Sequence, residues 1–236
     1  MAAADKYPPG VGKVALVTVV HGEAYEQHAN RLYESACEFF MPNRGWEFIQ
    51  LEGRPGWPDA TLYRYHVIRE HWQEHKMARL THVFMSDADM VFEGYVGDEI
   101  LGDWGITATE HPGYVGKARS ELPYETRYPS KARVPDVWGE RYYCGGFIGG
   151  EVHAFRQMCN RLRWRIDYDR DKLGMVATWH DESYLNAVLA VHEPEITLTP
   201  AYCYPDQDDW YRTFWPMDYP RLLVAVDKPA HERGDR

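Results

Sequence analysis

The sequence predicts an α/β fold in which parallel strands carry helices packed on their faces. Apolar runs alternate with segments of helical periodicity up to residue 86, in the order strand, helix, strand, helix, strand. The chain has 236 residues, enough for one domain with a full core, and its hydrophobic fraction of 44% is typical of a globular protein. Because no repeat or linker interrupts this pattern, a single domain is the simplest interpretation.

Residue type and spacing define the elements of the N-terminal half. Three apolar runs predict strands, at 14–20 (VALVTVV), 46–51 (WEFIQL) and 82–86 (HVFMS). Apolar residues recur at helical spacing between Tyr25 and Phe40, which predicts a first helix. The same spacing predicts one continuous second helix from Asp59 to about Arg79.

The C-terminal half is less regular. Prolines punctuate a long segment between residues 112 and 135, which indicates irregular structure. One helix is predicted at 181–192 (DESYLNAVLAVH). Further short strands are predicted at 106–109 (ITAT), 146–150 (GFIGG), 195–199 (EITLT) and 222–226 (LLVAV).

The charge of the chain limits its partners. The 26 basic and 36 acidic side chains give a net charge of −10, whereas a nucleic-acid-binding protein normally needs a basic face. We therefore expect no nucleic-acid partner. Divalent cations suit this charge, and a phosphate ligand would need a local basic pocket or a metal ion.

Cysteine usage and hydropathy indicate a location inside the cell. None of the four cysteines forms a Cys-x-x-Cys pair, which makes zinc an unexpected ligand and suggests reduced thiols. The N-terminus lacks the apolar stretch of a signal peptide, and no run of about 18 apolar residues occurs. A soluble, cytoplasmic protein without a membrane span is therefore predicted.

Two aspartates follow the third predicted strand, within SDADMVF. In α/β sheets, ligands bind beyond the carboxyl ends of strands, where Asp87 and Asp89 lie. Paired carboxylates there can hold Mg²⁺ or Mn²⁺, which would bridge the diphosphate of a nucleotide. The alternative is a pair of ordinary turn acids. The spacing alone decides little, because Asp-x-Asp recurs at 167/169, 169/171 and 206/208.

The segment WHDESYLN, at 179–186, concentrates acids at the start of a predicted helix. Asp181, three residues after Thr178, has the spacing of a capping box, so a capping role is one interpretation. The functional interpretation is that Glu182 faces a cleft as nucleophile or acid/base while Trp179 stacks on a sugar ring. Glycines in YYCGGFIGG, at 142–150, either permit close approach of a ligand or mark a bulged strand.

Taken together, these segments resemble glycosyltransferase family 6, the family of the histo-blood-group A and B transferases and α-1,3-galactosyltransferase. The resemblance runs from about Val14 to the C-terminus, in the family's order. The matching segments are TVVHGEAY, ESACEFFMP, SDADMVF, VGDEIL, HPGYVGK, YETRYP, YYCGGFIGG, WHDESYLN, LTPAYCYPDQ and AVDKPAH.

The resemblance implies a GT-A fold, a single domain with a Rossmann-like mixed sheet and flanking helices. Residues 14–226 would form the catalytic domain, preceded by a flexible N-terminus at 1–13 and followed by a mobile basic tail at 227–236. Such an enzyme moves N-acetylgalactosamine (GalNAc) or galactose from a UDP-sugar, with retention, in α-1,3 linkage to a β-galactoside-type glycan acceptor. The cofactor would be Mn²⁺ or Mg²⁺.

The resemblance also assigns roles to residues. Asp87 and Asp89 match the metal-binding pair, and their retention predicts metal dependence because many bacterial relatives carry asparagines there. Glu182 matches the catalytic position and an acceptor contact. The other acceptor positions are His111, Trp179 and Asp206. The positions that match donor or UDP contacts are Val20, His21, Tyr25, Arg64, Ser86, Ala88, Cys144, Gly145, Gly146, Asp181 and Lys228.

Two details bear on donor choice, and two other functions stay open. Cys144 is not the residue of the best-known members, while the small Gly146 leaves room for an acetamido group and favours GalNAc. Aromatic residues make up 14% of the chain, which would also suit a carbohydrate-binding protein without catalysis. A nucleotidyltransferase using the aspartate pair ranks lower, because no glycine-rich loop with a following basic residue lies near the N-terminus.

Overall fold

A computed structural model describes residues 13–206 and 218–226 of the chain. Within these ranges the strands are β1 (Val14–Val20), β2 (Trp46–Glu52), β3 (His82–Ser86), β4 (Met90–Phe92), β5 (Ile106–Glu110), β6 (Tyr143–Glu151), β7 (Ile196–Leu198), β8 (Tyr204–Pro205) and β9 (Leu223–Ala225). The α-helices are α1 (Glu23–Phe39), α2 (Asp59–Leu62), α3 (Arg64–Glu70), α4 (Val152–Tyr168) and α5 (His180–Leu189).

Six strands form the main sheet, in the order β2-β1-β3-β6-β5-β7. β1 pairs parallel with β2 and β3, as the alternation of strands and helices predicts. β6 runs antiparallel to both β3 and β5, while β5 and β7 are parallel. The predicted α/β class and mixed sheet are confirmed, and the parallel arrangement is limited to the two ends of the sheet.

Helices cover both faces of this sheet. Alternate residues of a strand point to opposite faces, and β1 divides in this way between two buried clusters. Ala15 and Val17 pack in the cluster that includes residues of α3, α4 and α5. Val14 and Leu16 pack in the cluster that includes α1 residues and the second sheet. The β-branched run is therefore a fully buried strand, as its composition predicts.

A second sheet, in the order β4-β9-β8, connects the chain after the Asp-x-Asp turn to its C-terminal part. β4 begins at Met90, directly after that turn, and pairs antiparallel with β9. The backbone N–H of Val226 donates to the carbonyl of Asp89 at 2.8 Å. The end of β9 is thereby fixed against the turn that carries both aspartates.

The predicted continuous helix from Asp59 to Arg79 is wrong. Tyr63, at φ −100° and ψ 8°, separates α2 from α3. After Glu70 the chain forms turns, and Lys76 adopts a left-handed conformation with φ 49° before a short 3₁₀ helix at Met77–Arg79. The apolar spacing is real, since Leu62, Tyr65, Ile68 and Trp72 are all buried, but it serves several short elements.

Helix α4 was not predicted, and neither were the short strands β4 and β8. The carboxylate of Glu151 caps α4 by accepting from the backbone N–H groups of His153 and Ala154, at 2.9 and 3.0 Å. Its buried residues recur every three or four positions: Val152, Phe155, Met158, Cys159, Leu162 and Ile166. Helix α5 begins one residue earlier and ends three residues earlier than predicted.

All four cysteines are free in the structure. In the part of the chain that the structure describes, no helix has the length and apolar character that a membrane crossing requires.

Candidate active site

The Asp87–Asp89 turn lies at the carboxyl end of β3 and is held by backbone contacts. The N–H of Asp87 donates to the carbonyl of Gly146 in β6 at 2.9 Å. Ser86 is buried, and its hydroxyl donates to the Asp87 carbonyl at 3.1 Å. The Asp87 side chain is 41% exposed, so its carboxylate is accessible to solvent.

Arg64 connects this turn to α5. It begins α3 and is buried, and its guanidinium contacts the carboxylates of both Asp87 and Asp181, with Nε 2.6 Å from Asp181 Oδ2. Burial alone would lower the pKa of Arg64, but the two carboxylates outweigh burial and hold that pKa well above its ordinary value. A buried charge persists only when paired in this way, so Arg64 depends on both aspartates.

The capping interpretation of Asp181 is wrong. Its carboxylate is 99% buried against Arg64, whereas helix α5 begins at His180 and its N-cap residue, Trp179, makes no side-chain cap. The hydroxyl of Thr178, the other half of the suggested box, donates to Glu125 at 3.1 Å. Burial raises the pKa of Asp181 to about 7, with Arg64 opposing the rise.

Glu182 reaches back to β6 from the first turn of α5. Its Oε2 accepts a hydrogen bond from the backbone N–H of Gly145 at 3.1 Å. Burial raises the pKa of Glu182 to about 7, and the hydrogen bond from Gly145 opposes that rise. Two adjacent acids with such raised pKa values are often found at catalytic sites.

Two glycines of β6 make room for these groups. A Cβ at Gly145 would overlap the Arg64 guanidinium. A Cβ at Gly146 would lie 3.0 Å from Cys203 Sγ and 3.8 Å from Asp87 Oδ2. The glycine block therefore permits close approach of the protein's own side chains to β6, while close approach of a ligand stays a prediction.

A cluster of rings lies on the other side of Glu182. His111 Nδ1 accepts from the Gly113 N–H at 3.0 Å, and its ring centroid is 4.8 Å from that of Tyr114. Burial lowers the pKa of His111 to about 4, so the imidazole is neutral and its Nε2 carries the proton. Burial, with the nearby Glu182 carboxylate, raises the pKa of Tyr142 far above its ordinary range.

Two tryptophans at the start of α5 remain open to solvent. Trp179 is 45% exposed, and Trp57 is 52% exposed with its ring centroid 4.6 Å from that of His180. Exposed aromatic faces such as these can pack against the apolar faces of a sugar. Trp179 was predicted from its motif, whereas Trp57 was not.

The structure brings three predicted nucleotide contacts together at the end of β1. Val20 and Ala88 are buried in one small cluster, against which Tyr25 packs. His21 is exposed, and its Nδ1 lies 2.8 Å from Glu52 Oε1 at the end of β2. Tyr25 and His21 thus flank the strand end next to the Asp-x-Asp turn.

Other predicted residues are placed differently. Asp206 lies at the second sheet, where its carboxylate accepts from Arg221 at 2.9 Å, and its acceptor role stays a prediction. Lys228 and the predicted mobile tail at 227–236 lie outside the described residues, as does the N-terminus up to residue 12. Asp169, from another Asp-x-Asp copy, is buried and accepts from Ser130 Oγ at 2.5 Å.

Sequence reasoning missed two residues that position α5. The side-chain oxygen of Asn186 accepts from the N–H of Tyr143 at 2.8 Å, and its amide donates to the Tyr143 carbonyl at 2.8 Å. Glu125 accepts from the N–H of Thr178 at 2.9 Å, just before α5. A polar residue within an apolar helix is the signal that could have identified Asn186.

The aspartate pair fits a divalent cation. Asp87 and Asp89 supply the hard oxygen ligands that Mg²⁺ and Mn²⁺ prefer. The absence of a side chain at Gly146 leaves space next to Asp87 Oδ2 that a Cβ would occupy. The predicted ligands are therefore accessible and chemically suited to the metal.

The mixed six-stranded sheet with flanking helices defines a GT-A-like single domain, and the aspartate pair at the end of β3 lies in it beside the glycine-rich strand β6. The chain belongs to glycosyltransferase family 6, whose family model matches residues 37–221.

Several curated proteins are similar to the chain. Globoside alpha-1,3-N-acetylgalactosaminyltransferase 1 of Gallus gallus is 34% identical over 170 residues, which cover 71% of this chain and 48% of that protein. Its Mus musculus counterpart is 30% identical over 214 residues, covering 81% and 61%. Histo-blood group ABO system transferase 1 of Rattus norvegicus is 34% identical over 176 residues, covering 73% and 48%. The chain thus spans about half to three fifths of these relatives.

Proposed function

We propose that the chain is a metal-dependent, retaining transferase that moves GalNAc or galactose from a UDP-sugar in α-1,3 linkage to a β-galactoside-type acceptor. The observation that carries this proposal is the network around Arg64. One guanidinium joins Asp87 of the aspartate turn to Asp181 of α5, and the adjacent Glu182 is held at Gly145. The diphosphate and the sugar of the donor would therefore both lie at the carboxyl end of β3, next to β6.

The charges at this end suit a diphosphate. The chain is acidic overall, so a nucleotide diphosphate needs a local positive charge. Asp87 and Asp89 would hold Mn²⁺ or Mg²⁺, and the bound cation would offset the negative charge that grows on the departing UDP. Arg64 keeps Asp87 oriented. Its guanidinium lies against Gly145 and would contact the donor sugar there.

Glu182 is proposed as the catalytic carboxylate. Retention requires either a covalent glycosyl adduct on a carboxylate or a front-side route in which the carboxylate stabilises an oxocarbenium-like centre. The position of Glu182 suits both routes, because the backbone N–H of Gly145 holds its carboxylate at β6, next to Gly146 and the aspartate turn. His111, a neutral imidazole, and Trp179 would then orient the acceptor.

GalNAc is the donor that we favour. Glycine at position 146 leaves the most room for an acetamido group, because even a Cβ there would lie 3.0 Å from Cys203 Sγ. Two of the relatives above are named as N-acetylgalactosaminyltransferases. The printed name of the ABO relative does not distinguish the two sugars.

A donor screen tests the proposal. The full chain, with Mn²⁺, is incubated with UDP-GalNAc or UDP-galactose and a lactose-type acceptor, and UDP release and product linkage are measured. We expect acceptor-dependent UDP release, faster with UDP-GalNAc, and an α-1,3-linked product. Glycan binding without UDP release would instead indicate a carbohydrate-binding protein without catalysis. The exposed rings of Trp57 and Trp179 would also suit that function. Pyrophosphate release from UTP would instead indicate a nucleotidyltransferase.

A further inference from the structure

A second group of metal-ligating side chains follows helix α3, outside the site described above. His71, Glu74 and His75 each offer one ligand atom, and these atoms all lie within 4.8 Å of one another. Glu74 Oε2 is 2.8 Å from His71 Nδ1, and the two histidine ring centroids are 6.2 Å apart. The N–H of His75 donates to the His71 carbonyl at 3.1 Å, so one helical turn separates the rings.

We propose that His71, Glu74 and His75 form a binding site for a transition-metal ion of the Zn²⁺ type, separate from the aspartate pair. Residues at positions i, i+3 and i+4 share one face of a helical turn, and paired histidines at i and i+4 hold zinc in other proteins. The cysteine spacing that made zinc unexpected does not apply, because these ligands are imidazoles and a carboxylate.

The geometry requires little rearrangement. Ligand atoms around tetrahedral zinc lie about 3.3 Å apart, given zinc–nitrogen bonds of about 2.0–2.1 Å. Side-chain rotations would bring the three atoms from their present separations to that distance.

Buried neighbours fix the backbone of the site. Trp72 is 1% exposed and Met77 is fully buried, and both belong to the main core cluster. The N–H of Met77 donates to the Trp72 carbonyl at 3.1 Å and closes the turn. The ligands project from a segment that the core already holds, which reduces the entropy lost on metal binding.

The two metal sites differ in position and in chemistry. Helix α3 begins at Arg64, in contact with Asp87, and the seven residues from there to His71 advance about 10 Å along the helix. The aspartate pair offers only oxygen and suits Mg²⁺ or Mn²⁺, whereas two imidazoles with one carboxylate suit Zn²⁺, Cu²⁺ or Ni²⁺. Saturating Mg²⁺ therefore leaves the second site available to zinc.

Calorimetry with Zn²⁺ alone as titrant, in saturating Mg²⁺, tests the site on the full chain. The double variant His71→Ala/His75→Ala removes both imidazoles, and His153→Ala removes an exposed histidine from α4 as a matched control. We expect the wild type and the control to bind one zinc ion at this site. Loss of a residue that merely supports a ligand weakens metal binding about 10- to 100-fold, so the double variant should bind at least about 100-fold more weakly.

A second readout guards against misfolding of the double variant. Glu74→Gln changes only an exposed side chain and keeps both histidine rings. It should weaken zinc binding while leaving the fold intact. Zinc should raise the Tm of the wild type by several degrees and that of the double variant by much less. The proposal is overturned if the wild type shows no zinc site in saturating Mg²⁺, or if folded variants bind zinc as the wild type does. Neither result depends on transferase activity.

Discussion

At the scale of single residues, the site depends on acids that are kept out of water. Glu182 and Asp181 both have pKa values raised to about 7 by burial, and one guanidinium, Arg64, partly offsets their charge. An acid in this condition changes its protonation state within the physiological range, which an exposed glutamate does not. The protonation state of each acid therefore depends on the burial of that side chain, and single substitutions can test each one.

Replacing Glu182 should separate chemistry from binding. Glu182→Gln keeps the shape and can still accept from Gly145, but it removes the carboxylate that we propose acts in transfer. We expect turnover to fall by about 100- to 10,000-fold with UDP affinity unchanged. Steady-state kinetics and UDP calorimetry measure the two quantities. A large loss of UDP affinity would indicate a donor-holding role instead.

The pH dependence of kcat/KM should report the same group. Because the pKa of Glu182 is raised to about 7, the acid is protonated below that pH, and the carboxylate form accumulates above it. We expect kcat/KM to rise with pH along an acidic limb far above the ordinary glutamate pKa of about 4.3. An acidic limb near pH 4 would contradict this assignment.

Gly146 and Cys203 should act as a pair. A methyl group at position 146 would lie 3.0 Å from Cys203 Sγ, closer than an ordinary contact. Gly146→Ala should therefore reduce donor affinity, and Gly146→Ala/Cys203→Ala should recover part of it by removing the sulfur. KM values for UDP-GalNAc and UDP-galactose measure the effect, with Cys203→Ala as the control. Strictly additive effects would show that the two positions are independent.

At the scale of elements, the position of α5 decides where the acids lie. Asn186 joins α5 to β6 through both backbone groups of Tyr143, and Glu125 holds the residue before the helix. Neither side chain touches the reacting groups that we propose. They fix the helix so that Glu182 reaches Gly145, which makes them positioning residues.

Removing the Asn186 amide should loosen this connection. Asn186→Leu would leave the N–H and carbonyl of Tyr143 buried without partners, which costs about 1–3 kcal/mol for each unpaired group. We expect a lower free energy of unfolding in urea and a lower kcat. Asn186→Asp keeps the acceptor for the Tyr143 N–H and should be less damaging. Equal stability of the leucine variant and the wild type would contradict the proposed role.

Glu125 should make the protein sensitive to acid. Burial alone would raise its pKa, but hydrogen bonds from Arg127 and Thr178 outweigh burial and lower the pKa to about 2. A group whose pKa is lowered on folding stabilises the fold above its unfolded pKa, near 4.3, and loses that contribution as pH falls towards 2. Urea unfolding of the wild type and Glu125→Gln should differ at pH 6 and converge towards pH 2.

The sequence predicts an element well when neighbouring residues carry the signal, and poorly when the signal comes from residues far apart in the chain. The first three strands follow from β-branched runs, and the Asp-x-Asp turn follows from its place after β3. The split of the predicted 59–79 helix depends on backbone changes at Tyr63 and Lys76, which apolar spacing does not report. Helix α4 has apolar residues at helical spacing, but the several arginines among them make this spacing hard to recognise. The pairing of Arg64 with Asp181 spans 117 positions, so only the family resemblance brought both to the donor site.

At the scale of the whole molecule, the proposed donor site and the proposed zinc site lie on different elements. The carboxyl ends of β1 and β3, with β6, carry the residues that we propose bind the donor. Helix α3 leads away from that edge to His71, Glu74 and His75. Metal experiments must therefore distinguish two classes of ion.

Removal of the divalent metal should abolish productive donor binding. We expect UDP to bind more tightly with Mn²⁺ than in EDTA, and Asp89→Ala to remove both that difference and transfer. Asp167→Ala, in another Asp-x-Asp copy where the carboxylate lies 2.8 Å from His66 Nε2, is the matched control and should keep the metal effect. Calorimetry supplies the affinities. Equal UDP affinity with and without metal would count against the aspartate pair as ligands.

The contact between Val226 and Asp89 has a practical consequence for these measurements. Because β9 ends against the aspartate turn, the described chain leaves the second sheet at Val226, close to the proposed donor site. The segment leading into Val14 enters β1 at the far rim of the sheet, since β1 runs parallel to β3. Purification handles and surface-immobilisation linkers are therefore better attached ahead of Val14.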